Sequence, residues 1–198
     1  MNHHLIMGYD FSTTQLIGAA VVLVVLVLVV VGAFIQRRRA RTLALRNRFG
    51  SEYDLAVVKH GSARDAEARL ADRETRVEAF TIRELGVTER ERFVTEWHTA
   101  QSRFVDHPRM AVTEADDLVN AVLDACGYPK ANFEQRAADV SVNFPRVMRN
   151  YRIAHDIAIR LGQDEASTEE LRTAMIQYRD IFDDLLQAPK PLNTRAAA

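Results

Sequence analysis

Between Leu16 and Ile35 no residue is charged, and these twenty residues, wound as an α-helix, rise about 30 Å, the thickness of a bilayer's hydrocarbon core. The run stops against "QRRRAR": Arg37, Arg38, Arg39, Arg41, Arg46 and Arg48 come after it, and no Lys or Arg precedes it. A cleaved leader would carry positive charge before a shorter apolar run and a small-x-small site after it. Here the preceding stretch "MNHHLIMGYDFSTTQ" holds Asp10 and no cation. The pattern predicts a retained membrane helix. Because Lys and Arg flanking a span resist translocation, it also predicts the N-terminus outside and residues 37–198 in the cytosol.

Composition bounds the part of the chain beyond the span. About 150 residues remain, enough for one domain with its own core. Cys126 is the only cysteine, so no intrachain disulfide forms, and its place before Gly127 reads as a small buried apolar residue. Of 26 basic residues six lie at or before Arg48, and of 27 acidic residues only Asp10 does, which leaves 20 basic against 26 acidic residues beyond. An acidic body argues against general nucleic-acid binding, which needs a net basic surface to displace counterions. Next to a membrane the arginines are attracted to anionic headgroups, and the positive-inside effect alone accounts for their clustering. His3 and His4 beside Met1 and Met7 make a faint copper-like set in what reads as a short flexible tail.

Apolar residues beyond Gly50 recur at helical spacing, and no stretch longer than a few residues alternates as a half-buried strand does. The expected fold is all-α: a short extracytoplasmic tail over 1–15, a transmembrane helix over 16–36, a basic juxtamembrane segment over 37–50, charged stalk helices over 51–80, a cytosolic helical bundle over 81–187 and a disordered tail over 188–198. "SEYDLAVVKHG" reads as a helix capped by Ser51 and ended by Gly61. In the next helix Ala63, Ala66, Leu70, Val77 and Phe80 share a heptad seam that Arg73 interrupts. That is too short for an autonomous coiled coil, so an exposed stalk is expected and homo-oligomerisation is the lesser reading.

Further along, Thr88 and Glu91 fit a capping box opening a helix whose Phe93, Trp97, Phe104 and Val105 form one face, closed by "DHP". The next helix presents Val112, Ala115, Leu118, Val119, Val122 and Leu123 and ends at Gly127. A short helix covers "NFEQRAAD". Asn143 is placed as the cap of the following helix with Pro145 in its first turn, and Ser167 with Glu170 as the box opening the last. On the helix from Val147 the apolar arc takes Met148, Tyr151, Ala154, Ile157, Ala158, Ile159 and Leu161, with Arg149, Arg152, Asp156 and Arg160 opposite. Asn150 and His155 fall inside the arc. Buried polar groups need partners, so both are expected to bond a neighbouring helix, with Arg136 and Asp139 as contributors. Arg136, Asp139, Asn150, Tyr151 and His155 are therefore the candidate polar network, structural or ligand-binding.

The stretches "RFVDHPRMAV", "FEQRAADVSVNFPRVMRNYRIAHDIA" and "EASTEELRTAM" resemble a family of uncharacterised bacterial proteins with one hydrophobic N-terminal segment, over roughly residues 48 to 187. The resemblance implies an all-helical membrane-attached domain and carries no reaction. Members are often labelled secreted, which the arginine flank here contradicts. Where "SVDHP" is expected, this chain reads "SVNFP".

Two functional classes remain. One is a membrane-anchored cytosolic interaction or scaffold module with a protein partner, no catalytic centre and no cofactor. The other is a membrane-tethered metal-dependent phosphohydrolase of histidine-aspartate type, using His155 and Asp156 with His98 or His107 and Asp180 or Asp183. No phosphate-binding glycine loop, zinc-type Cys/His spacing or nucleophile elbow is present.

Overall fold

The computed structural model describes residues 13–187, with side chains from Val21 onward. The residues before 13 and after 187, with the His3/His4 set and the expected C-terminal tail, lie outside the described residues. The protein is all-α. Eight helices and no strand occur among the described residues: α1 Thr13–Phe49, α2 Ser51–His60, α3 Ala63–Glu78, α4 Val87–Arg103, α5 Pro108–Ala125, α6 Phe133–Val140, α7 Met148–Gly162 and α8 Thr168–Leu186. The chain divides into two units, the first ending at Ala44 and the second beginning at Leu45.

In the first unit α1 is apolar around its whole circumference from Val21 to Ile35, and every side chain from Val21 to Arg41 is exposed. It is the one helix among the described residues long and apolar enough to cross a membrane. The basic stretch is no separate segment, because α1 continues through it to Phe49. Arg, Ala and Leu are strong helix formers, and nothing interrupts them before Gly50, whose φ is 51°. Arg38 lies one turn after Phe34 with its guanidinium 4.8 Å from the ring centroid.

The second unit holds two apolar clusters. The larger gathers residues of α4, α5, α7 and α8, with Phe93, Val119, Leu123, Tyr151, Tyr178 and Phe182 among its most buried members, and Trp97 stacks on Phe182 at 4.8 Å. The smaller joins Leu45 and Phe49 to Tyr53, Ala56, Ala66, Leu70, Val77 and Val142. Phe80 and Ile82 pack against both. The stalk expectation is thereby corrected: α3 is no exposed rod. Its seam does bury Ala66, Leu70 and Val77, but against α2 and the end of α1 in the same chain. Charge over the other faces of α3 imitates a solvated stalk, and one buried stripe suffices to dock it.

Several helix ends differ from expectation by a choice of frame. Ser51 is the first helical residue and Gly50 the cap, without a side-chain bond. Gly61, φ 74°, ends α2 as expected, its N–H donating to the Val57 carbonyl. Helix α4 opens at Gly86, where the Glu89 carboxylate accepts from the Gly86 N–H at 2.9 Å, so Thr88 and Glu91 are not the box. Val105 lies beyond the end of α4 and is exposed. Asn143 caps nothing: α7 begins five residues later, and the Asn143 amide donates to the Tyr128 hydroxyl at 2.8 Å. Ile159 is exposed although its angle puts it at the edge of the apolar arc. The Ser167 and Glu170 box forms in both directions, with Ser167 N–H to Glu170 at 2.8 Å and Glu170 N–H to Ser167 Oγ at 3.3 Å.

Two of these caps set an acid limit. Arg83, bonding both Glu89 carboxylate oxygens at 2.7 Å, and then the Gly86 N–H hold the Glu89 pKa down to about 2. The Ser167 N–H and hydroxyl, then Arg160, hold Glu170 down to about 2. Each carboxylate is favoured in the folded state, so its contribution is complete above the ordinary glutamate range and lost as pH falls through about 2. Carbon-detected NMR titration should find both side chains charged at pH 3. Midpoints near 4.3 would mean that these caps are open in solution.

Candidate functional site

Two polar clusters interrupt the second unit. The first is built on α5, where Asp116, Asn120 and Asp124 recur at four-residue spacing and so share one face. Buried Arg136 of α6 donates to Asn120 Oδ1 at 2.8 Å and to the Asp124 carboxylate. Tyr151 of α7 donates to Asn120 Oδ1 at 3.4 Å, and Tyr178 of α8 to Asp116 Oδ1 at 2.8 Å. Burial raises the pKa of both phenols, which remain neutral donors. The cluster ties four helices together, and nearly all its donors are consumed internally. The exception is Arg136 Nε, buried without a hydrogen-bond partner.

The second cluster opens to solvent as a cleft of about 710 Å³ lined by residues of α2, α3, α6 and α7. Glu52, almost wholly buried, receives a two-pronged bond from Arg152, Nε to Oε1 at 3.3 Å and Nη2 to Oε2 at 3.2 Å. Arg152 also bonds Glu134 at 3.3 Å, and Lys59 reaches the other oxygen of Glu134 at 3.3 Å. Beside the cleft, buried Asp139 takes Arg76 Nε at 3.1 and 3.3 Å and Gln135 Nε2 at 2.8 Å. Arg73 Nη1 stops 3.9 Å from Glu52, an ion-pair distance beyond hydrogen-bond reach, and is buried without a hydrogen-bond partner. Burial lowers the Arg73 pKa, against the pull of Glu52. Arg152 ends above its ordinary value, since the bonds and charge of Glu52 outweigh burial.

The five candidate residues separate accordingly. Arg136 and Tyr151 belong to the α5 cluster, and Asp139 to the cleft through Arg76. Asn150 does bond a neighbouring helix, but outside either cluster: it donates to Asp180 Oδ2 of α8 at 2.9 Å. His155 is half-buried and takes a ring in place of a hydrogen bond, stacking on Phe133 with centroids 3.5 Å apart. Burial lowers its pKa, against the charges of Asp116, Asp156 and Glu134. The phosphohydrolase set is not brought together. His98 and His107 are exposed on other elements, Asp180 accepts from Asn150 and Asp183 pairs with Arg179 at 3.7 Å. No group of three His, Cys, Asp or Glu placed to hold a metal ion occurs among the described residues.

Glu52, Arg73 and Arg152 were not among the expected site residues. Arg73 had a signal, as the one cation in an apolar seam. Glu52 and Arg152 had none, since their pairing spans 100 positions. No family model, no curated protein and no solved structure matches the chain.

Proposed function

We propose that this protein is a membrane-anchored interaction module. α1 crosses the bilayer once with the N-terminus outside, and the domain beginning at Leu45 works in the cytosol by binding rather than by catalysis. One observation carries the reading: from Val21 to Ile35 the helix exposes apolar side chains on every side and then, without a break, exposes Arg37, Arg38, Arg39 and Arg41. Water does not tolerate that apolar surface, whereas a bilayer with a cationic cytoplasmic collar does. A free cysteine buried in the domain, its pKa raised by burial to about 11, suits a reducing compartment.

A reporter active only outside the cytoplasm, fused to Ala198, should be silent, and the protein should stay with membranes after alkaline extraction. Replacing Arg37, Arg38, Arg39 and Arg41 by Gln should give mixed orientation. A strong reporter signal from the unaltered chain would overturn the orientation, and release by alkali would overturn the anchor.

A further inference from the structure

Along α3, Arg69, Arg73 and Arg76 recur at i, i+4 and i+7, one face of a helix, and all three line the cleft. Across it stands Arg152 of α7. Two of these four guanidiniums are spoken for from below: Arg152 by Glu52, and Arg76, through its Nε, by Asp139. The other two are held less firmly. Arg69 forms no salt bridge among the described residues, and Arg73, whose Nη1 reaches Glu52 only as a loose ion pair at 3.9 Å, buries that nitrogen without a hydrogen-bond acceptor. A buried donor without a hydrogen bond is costly to leave unmade, and an open cleft next to it supplies the route by which an acceptor arrives.

We infer that the cleft binds a compact phosphate-bearing group held between Arg69, Arg73 and Arg76, with Arg152 fixed by Glu52 as the opposite wall. A tetrahedral phosphate offers enough acceptor oxygens for several forks at once, whereas a carboxylate saturates one fork. Drawing the Arg73 guanidinium toward the cleft gives Nη1 the hydrogen-bond partner it lacks. The rim sets the size of the ligand. Asp72 and Asp156 line the cleft and form no salt bridge among the described residues, so an extended polyanion such as nucleic acid is repelled. A small phosphate monoester, whose hydroxyl or amine groups meet those carboxylates, is not. The stacked Phe133 and His155 rings stiffen the α6 and α7 side. The same chemistry is offered by a soluble phosphate ester or by a lipid headgroup. The inference uses only residues of the second unit and stands whichever way the chain is oriented.

The test uses the full chain in nanodiscs of phosphatidylcholine, followed by ³¹P line broadening with inorganic phosphate and glycerol 3-phosphate as probes. Both should bind saturably, and acetate should compete about tenfold more weakly. Arg73→Lys, which keeps the charge and loses the fork, should weaken binding about tenfold, and exposed Arg69→Gln by several-fold. Arg90→Gln on α4 should change nothing. Nanodiscs with added phosphatidic acid separate the sources. Displacement of bound phosphate, with the same dependence on Arg69 and Arg73, assigns the cleft to a lipid headgroup, and undiminished binding assigns it to a soluble ester. Absence of saturable phosphate binding, acetate binding as tight as phosphate, or unchanged affinity in both Arg69→Gln and Arg73→Lys would overturn the inference.

Discussion

Glu52→Ala should lower unfolding free energy by about 3 kcal/mol, more than any substitution of an exposed charge in this chain. Glu52 is nearly inaccessible, and its carboxylate is the acceptor for both prongs of Arg152 and the nearest anion to Arg73. Removing it leaves Arg152 with only the exposed Glu134 and takes away the carboxylate paired with Arg73, and breaking a buried pair costs more than never having had one. Glu52→Gln keeps the shape and one acceptor oxygen, so about 1 to 2 kcal/mol is expected. A double-mutant cycle with Arg152→Ala discriminates the cause: strong coupling between positions 52 and 152 identifies the pair, and additive losses would assign the effect to packing. Urea unfolding followed by circular dichroism supplies the numbers.

That pair also marks where sequence reasoning stops. The face of α5 was legible because burial there follows a local period. Val112 through Leu123 line one side of one helix, and no distant residue changes which side that is. The Ser167 box was legible because both partners sit within four residues. Where a second frame competed, legibility failed: Gly86 caps α4 through its backbone alone, so nothing in its side chain outbids Thr88 as a signal. His155 was placed inside the apolar arc and expected to hydrogen-bond a neighbouring helix, whereas it is half-buried and its contact is the Phe133 ring, because an imidazole can also meet a neighbour through its flat face by stacking. The cleft as such was illegible, although Arg73, Asp156 and neighbouring Asp139 had each drawn notice singly. Its residues come from four helices, and what makes Arg152 a wall rather than a solvated surface charge is Glu52, 100 positions earlier in the chain.

The connection between α3 and α4 is held shut by a single glycine, and Gly127→Ala should cost about 3 to 4 kcal/mol or prevent folding at growth temperature. Two effects add. Gly127 has φ 94°, where an L side chain is strained. A Cβ there would lie 2.3 Å from the Thr81 carbonyl oxygen and 3.2 Å from its carbon, and both are backbone, which cannot swing aside as a side-chain tip can. The segment is pinned from the other direction as well. The Arg83 N–H donates to the Cys126 carbonyl at 3.0 Å, and Ile82 packs against both apolar clusters. Moving Thr81 away therefore loosens the contact between the two clusters as well as one hydrogen bond. Gly61 supplies the comparison: its φ is 74°, but a Cβ meets nothing within 4 Å. Gly61→Ala should thus show the conformational strain alone, about 1 kcal/mol. If the two alanine variants unfold at the same denaturant concentration, the close approach of Thr81 does not persist in solution, and the 79–86 connection is looser than its contacts with α5 imply.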